Sequence, residues 1–169
     1  MSYASVAELC DLYGYAAIAE CLDDDDLAQR VDVALFRQAV QEQDTSSADQ
    51  ADQDAVARVI ERATEALDSA SRRMDQKISC RYDLPLSETV IEANDLSRHA
   101  CQLARALLSK HHINEQVARL ADESNAWLRD LAAGRAKLLG IELQSGTLGA
   151  AGEVLTEQGI SRYDWEAHA

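Results

Sequence analysis

Arg81-Tyr82-Asp83-Leu84-Pro85-Leu86 decides the fold, because it holds the chain's single proline and sits between two long helical patterns. Proline is excluded from helix interiors but tolerated in a first turn, and it drives the residue before it to extended backbone. The spacing therefore predicts an extended Leu84, a Pro85 that opens the next helix, and a rigid elbow between two long helices. Arg81, Tyr82, Leu84, Pro85 and Leu86 are its structural residues, with Tyr82, Leu84 and Leu86 placed to pin it to the body.

On the N-terminal side of the elbow, Val56, Ile60, Ala63, Leu67, Ala70, Met74 and Ile78 recur at steps of four and three. That is the apolar stripe of one long helix, capped by Asp52 or Asp54, and best satisfied by an intramolecular helix pair. On the other side, Ser87 to Lys110 reads as a single helix with Val90, Ala93, Ala100, Leu103, Ala104 and Leu107 facing inward. His111-His112 follows at its end. Asn114 then caps a helix carrying Val117, Leu120, Ala121, Trp127, Leu128 and Leu131, and Gly134 ends it.

Upstream, Ser5-Val6-Ala7-Glu8 has the spacing of a capping box for a short helix that stops near Gly14. A second short helix spans Tyr15 to Leu22, with Ala16, Ile18, Ala19 and Leu22 apolar. Asp23-Asp24-Asp25-Asp26 reads as a solvated loop that caps a helix from Leu27 to Gln41, packed through Val31, Leu35, Ala39 and Val40. It lacks the alternating ligands and the glycine of a calcium loop. Gln43 to Gln53 reads as a polar loop.

Beyond Gly134 the composition changes, with six of the seven glycines at or after that position. Ile141-Glu142-Leu143 suggests a short strand. The expected organisation is a helical body over 1–140 and an extended, glycine-rich tail over 141–169. The tail has too few apolar side chains for a core of its own. Leu155, Ile160, Tyr163 and Trp165 are its candidate partner-binding anchors, since aromatic side chains dominate interface hot spots.

The 169 residues, 47% hydrophobic with one proline and 5% aromatics, suit an all-α fold with one sizeable core. Cys10, Cys21, Cys80 and Cys101 form no Cys-x-x-Cys pair and read as free thiols or small buried hydrophobes. The formal net charge is −14, of which residues 1–54 contribute −11, from 13 acids and 2 bases. Such a balance disfavours a grip on phosphate backbones, whose affinity comes from Lys and Arg. No apolar run reaches the ~20 residues of a membrane span, and no basic stretch leads into an apolar one, so synthesis in a cytoplasm is the expectation.

No phosphate-binding loop, Gly-x-Ser-x-Gly or His-Glu-x-x-His occurs. His99 and Cys101, two apart on a helix, do not share a face, and a metal site joining them to His111 or His112 is disfavoured because the spacing of structural sites is not met. The expectation is a protein with no catalytic residues, no cofactor and no metal. Trp127 is assigned to the core and Trp165 to a partner. Asp95 and Arg98 are spaced to pair along one helix face, and Arg72, Arg73 and Arg81 cluster around the elbow. The cluster reads either as solvated helix ends or as a contact for the acidic face of a neighbouring copy.

These features resemble the small head-to-tail connector (adaptor, or head completion) proteins of Mu-like bacteriophages and prophages. Met1-Ser2-Tyr3-Ala4-Ser5 with Leu9 and Tyr13-Gly14 is similar to the family's start. Met74-Asp75, Ile78 and the elbow hexapeptide are similar to its most distinctive stretch. Asp95-Leu96-Ser97-Arg98-His99 is similar to the following helix, and Val117 through Trp127-Leu128, Leu131-Ala132 and Gly134 to the last one. Residues 28–53 look longer than the family's norm, and the tail beyond Gly140 finds no firm counterpart.

The resemblance implies a bundle of long antiparallel helices and a structural virion protein at the neck between head and tail. Its partners would be the portal protein, neighbouring copies in a ring of about twelve, and the next neck or tail protein. DNA would only pass through the channel, without sequence-specific binding, along an acidic wall that does not hold it. The alternative is a small DNA-packaging or host-interacting helical protein without catalytic activity. A packaging factor should show a helix-turn-helix with basic recognition residues, and none is found.

Overall fold

The computed structural model describes residues 2–22, 31–109 and 114–142. Within these the chain is all-α. In order the helices are α1 (Val6–Tyr13), α2 (Tyr15–Leu22), α3 (Val33–Val40), α4 (Gln50–Ile78), α5 (Glu88–Ala93), α6 (Leu96–Leu108) and α7 (Glu115–Ala132). The acidic run Asp23–Asp26, the start of the expected third helix at 27–30, His111-His112 and the tail from Leu143 onward lie outside the described residues.

At 29 residues α4 is about 43 Å long at 1.5 Å per residue. It carries the core: α6 and α7 pack on it and on each other, α1 and α2 close over α4 and α6, and α3 packs on α2 and α4. The expected stripe is buried at Val56, Ala63, Leu67, Ala70, Met74 and Ile78, while Ile60 is half-buried. Ala55, Val59, Ala66 and Ser71 widen the stripe into a face, as a helix touched by several neighbours requires. α4 also starts earlier than its stripe. Asp49, rather than Asp52 or Asp54, stands at its N-cap, with no side-chain hydrogen bond. Part of the expected polar loop is therefore the first turn of this helix.

The N-terminal expectations hold closely. Ser5 and Glu8 form the reciprocal capping box, and Gly14 ends α1 with φ of +86°. α3 is shorter than expected, because the Asp32 side chain accepts from the Ala34 and Leu35 amides and starts the helix after Val31. Phe36, absent from the expected stripe, is fully buried and meets the Tyr15 ring edge-on at 5.8 Å, while Ala16 is exposed. Tyr3 ties the N-terminal segment to α4: its amide donates to Ser71 Oγ at 3.1 Å and its hydroxyl to Asp75 Oδ1 at 2.5 Å. Burial, reinforced by Asp75, raises the pKa of that phenol.

Cys10 and Cys101 are buried free thiols and Cys80 is an exposed one. Burial pushes Cys10 up to about 11 and Cys101 up to about 12, so both stay protonated near neutral pH.

The expected helix over 87–110 is two helices. Ser87 caps α5, and a break at Asn94-Asp95 precedes α6. Asp95 adopts left-handed backbone (φ 53°, ψ 37°), which Asp tolerates better than most residues. The redirected chain leaves Ala93 exposed but buries Leu96 completely, so the core is met by α6 rather than by one continuous helix. Pro85 likewise does not open a helix. The Leu84–Pro85 peptide is cis, and two residues, Leu86 and Ser87, separate Pro85 from the first residue of α5. Ile141 and Glu142 are in no strand, and no strand occurs among the described residues.

α7 begins and ends where expected, with the Asn114 side chain accepting from the Gln116 amide and Gly134 following the helix with φ of +77°. Between α6 and α7 the fully buried Ser124 donates to Gln102 Oε1 at 2.6 Å and lies 3.1 Å from His99 Nδ1. His99 stacks on Trp127, with centroids 4.4 Å apart and planes 7° from parallel. Trp127 is thus a half-buried stacking partner rather than a core residue in full.

Candidate functional site at the elbow

The elbow starts where α4 can no longer continue. The amides of Arg81 and Tyr82 both donate to Ile78 O at 3.0 Å, which tightens the last turn and aims the Tyr82 ring inward. Tyr82 is 1% exposed and Leu86 is 3% exposed. Leu84, expected to be the third pin, is 37% exposed and does not hold the elbow to the body. The cis Leu84–Pro85 bond lies between the two buried side chains.

What the elbow grips is the segment after α7. The Tyr82 hydroxyl accepts the Leu138 amide at 2.9 Å, and Leu138 is itself buried. Next along, Asn94 holds Leu139 from both sides. Its Oδ1 accepts the Leu139 amide at 2.8 Å, and its Nδ2 donates to Leu139 O at 3.1 Å and to Val90 O at 2.7 Å. The side chain at the α5–α6 break thus acts as a backbone clamp on a residue 45 positions away. Ile141 packs against the core just beyond.

The turn that delivers this segment is equally specified. After α7 the amides of Arg135 and Ala136 both reach Asp130 O, at 2.8 and 3.1 Å, and the Arg135 guanidinium pairs with the Asp130 carboxylate. At Gly134 the backbone has positive φ and lies directly under the Arg81 guanidinium, so a Cβ there would collide with Arg81 Nη1 and Cζ. Arg81 is thereby half-buried against the turn, with its Nε lacking a hydrogen-bond partner, and is not a solvated helix end.

Of the sequence-predicted elbow residues, the structure brings Arg81, Tyr82 and Leu86 into one site and leaves Leu84 at its surface. Asn94, Gly134 and Leu138 complete the site and were not singled out for it. The signal for Asn94 was present in Asn94-Asp95, two residues whose side chains compete with helical backbone bonds in the middle of an apolar pattern. Nothing local marked Leu138. Leu155, Ile160, Tyr163 and Trp165 lie outside the described residues. The Asp95–Arg98 pair forms at 3.5 Å with both side chains more than half exposed, so its contribution is small. Among the described residues no group of three or more His, Cys, Asp or Glu side chains could hold a metal.

The sequence model of the family described as Bacteriophage Mu, Gp36 matches residues 3–156. The chain belongs to that family. The Gp36 match takes in the elbow, the clamp and the turn, and it runs past Gly140, where the resemblance drawn from single motifs stopped. Membership makes this a Mu-like phage protein with a structural or morphogenetic role. No helix among its described residues is long and apolar enough to cross a membrane. No curated protein matches the chain.

Proposed function

We propose that this Gp36-family protein is a non-catalytic head-to-tail connector of the virion neck. Copies form a ring beneath the portal, extend its DNA channel, and present a surface to the next neck or tail protein. In that reading α4, α6 and α7 are a bundle of long antiparallel helices, and the chain beyond the clamp is an arm that docks on the portal or on a neighbouring copy. DNA passes the ring without being read.

The observation that carries the reading is the clamp. Tyr82 and Asn94 fix the backbone of Leu138 and Leu139 beside the end of α4, which would give a docking arm a defined starting point. A fixed exit matters for a subunit that must place its anchors on a neighbour at a repeatable spacing, because it lowers the ordering entropy lost on docking. Two of the large apolar side chains left exposed, Leu84 and Leu139, belong to the two segments that meet here. They offer apolar area beside the exit. The acidic balance fits a channel wall that repels phosphate.

The test is a phage lacking this gene, complemented with the full chain or with a chain ending at Glu142. The null phage should accumulate filled heads without tails, and the full chain should restore a ring of density at the neck. The truncated chain should fold and fail to attach. Tailed, infectious particles from the null phage would overturn the connector assignment, and infectious particles from the truncated chain would overturn the docking arm.

A further inference from the structure

One groove of this acidic chain holds more cations than carboxylates. Between the C-terminal half of α4 and α7, Arg73, Gln76 and Lys77 share a groove of about 370 Å³ with Asp122, Asn125 and Arg129, so three cations face one carboxylate. All three cations are exposed, and none belongs to the ion pairs Arg98–Asp95, Arg119–Glu123 and Arg135–Asp130. The C-terminal end of a helix favours bases, which accounts for their place near the ends of α4 and α7. It does not neutralise them. An acidic surface is the complement this groove lacks.

The chain carries one. Glu42, Asp44, Asp49 and Asp54 stand exposed at the corner where α3 passes into α4, and no Lys or Arg occurs between Gln38 and Ala57. The corner cannot reach the groove of its own copy. Asp54 and Arg73 ride the same helix, 19 residues and about 28 Å apart along its axis. Pairing the two surfaces therefore needs two molecules. Because the surfaces differ, the contact is heterologous, the type that closes into a ring or runs on as a filament.

We propose that the α4–α7 groove receives the acidic α3–α4 corner of a second copy of this chain. The inference rests on the ring described above and names its subunit contact. The attraction is between exposed charges, so it sets register and encounter more than raw affinity, and it weakens with salt.

A zero-length carbodiimide, which joins a lysine amine to a carboxylate, tests it directly. An equimolar mixture of ¹⁴N- and ¹⁵N-labelled full chain is treated at low salt, and mixed-isotope links are read by mass spectrometry. The expected links join Lys77 of one copy to Glu42, Asp44, Asp49 or Asp54 of the other. An Arg73→Glu/Arg129→Glu variant should lose them by about tenfold or more, since it sets like charges against each other. A Glu42→Lys/Asp49→Lys/Asp54→Lys variant should fail alone in the same way. The two variants mixed should regain links between groove and corner. Circular dichroism of each variant controls for folding.

Links from wild-type Lys77 only within one copy, or to carboxylates outside 42–54, would overturn the proposal. So would retarded migration of duplex DNA that is lost in Arg73→Glu/Lys77→Glu, which would assign the groove to phosphate. A neck ring seen in particles without these links sinks the groove and leaves the connector. These links without any neck ring keep the groove and sink the connector.

Discussion

Replacing Tyr82 by Phe removes one oxygen and tests the clamp with little change in packing. That oxygen accepts the Leu138 amide at 2.9 Å in a buried setting. Without it the amide has no partner unless the segment shifts, and an unsatisfied buried donor costs about 1–3 kcal/mol. For a chain of this size one kcal/mol moves Tm by roughly 2–4 °C, so the loss should be on the order of 2–12 °C. Tyr82→Ala adds a void where a large ring was 1% exposed, and should cost about 3–5 kcal/mol. Thermal melts give the stability, and hydrogen exchange at the Leu138 amide gives the location. Protection at Leu138 should fall in Tyr82→Phe while amides in the middle of α4 keep theirs up to the global limit. A Tyr82→Phe protein that melts within a degree of wild type, with the Leu138 amide still slow, would refute the clamp.

Other expectations follow from neighbouring residues. Asn94→Ala removes both bonds to Leu139 and should open 139–142 to limited proteolysis at a stability cost of about 1–2 kcal/mol, and an uncut segment would count against it. Gly134→Ala puts a Cβ into the Arg81 guanidinium at positive φ, and should destabilise by about 1–3 kcal/mol, partly relieved by Arg81→Ala in a double-mutant cycle. His99 is held below its ordinary pKa, chiefly by burial, so the unfolded chain takes up protons more readily than the folded one. Stability from this group is present above about pH 6.5 and lost as pH falls through the folded value, and a His99→Asn protein should show a flatter urea-midpoint profile over that window. Tyr3→Phe loses the bond to Asp75 and should cost on the order of 1–2 kcal/mol in denaturant titrations, while leaving the helix content of the folded protein unchanged.

The parts of the fold that were legible in the sequence were those fixed by neighbours along the chain. Ser5 with Glu8, Asn114 with Gln116, and the glycines after α1 and α7 act within one turn, and their helix ends fell where the pattern put them. The parts that were not legible are fixed across the fold. Leu139 determines what Asn94 does, and with it why one apolar pattern yields two helices. Tyr3 is buried because Ser71 and Asp75, about seventy residues on, offer partners. Pro85 marked the elbow correctly, but α5 starts only after Ser87, and which leucine would be buried depended on the turn's geometry. Leu84 and Leu86 are equivalent in hydrophobicity and opposite in fate.

The same contrast bears on whether a short hexapeptide could serve both the body and the proposed docking arm. Its inward side chains, Tyr82 and Leu86, belong to the core cluster, and so does Leu138 on the segment they receive. Loosening the clamp should therefore also loosen the end of α4, because the Tyr82 ring is shared. Substitutions at Asn94 touch only the clamp and its own helix end, and should separate the two effects. If the arm's placement governs attachment to heads, Asn94→Ala should impair particle assembly well beyond its small effect on melting. If body stability alone matters, Tyr82→Phe and Asn94→Ala should impair assembly in proportion to their stability losses. The ratio of assembly defect to stability loss, compared between these two variants, is the quantity that decides whether the elbow positions the arm or only supports the body.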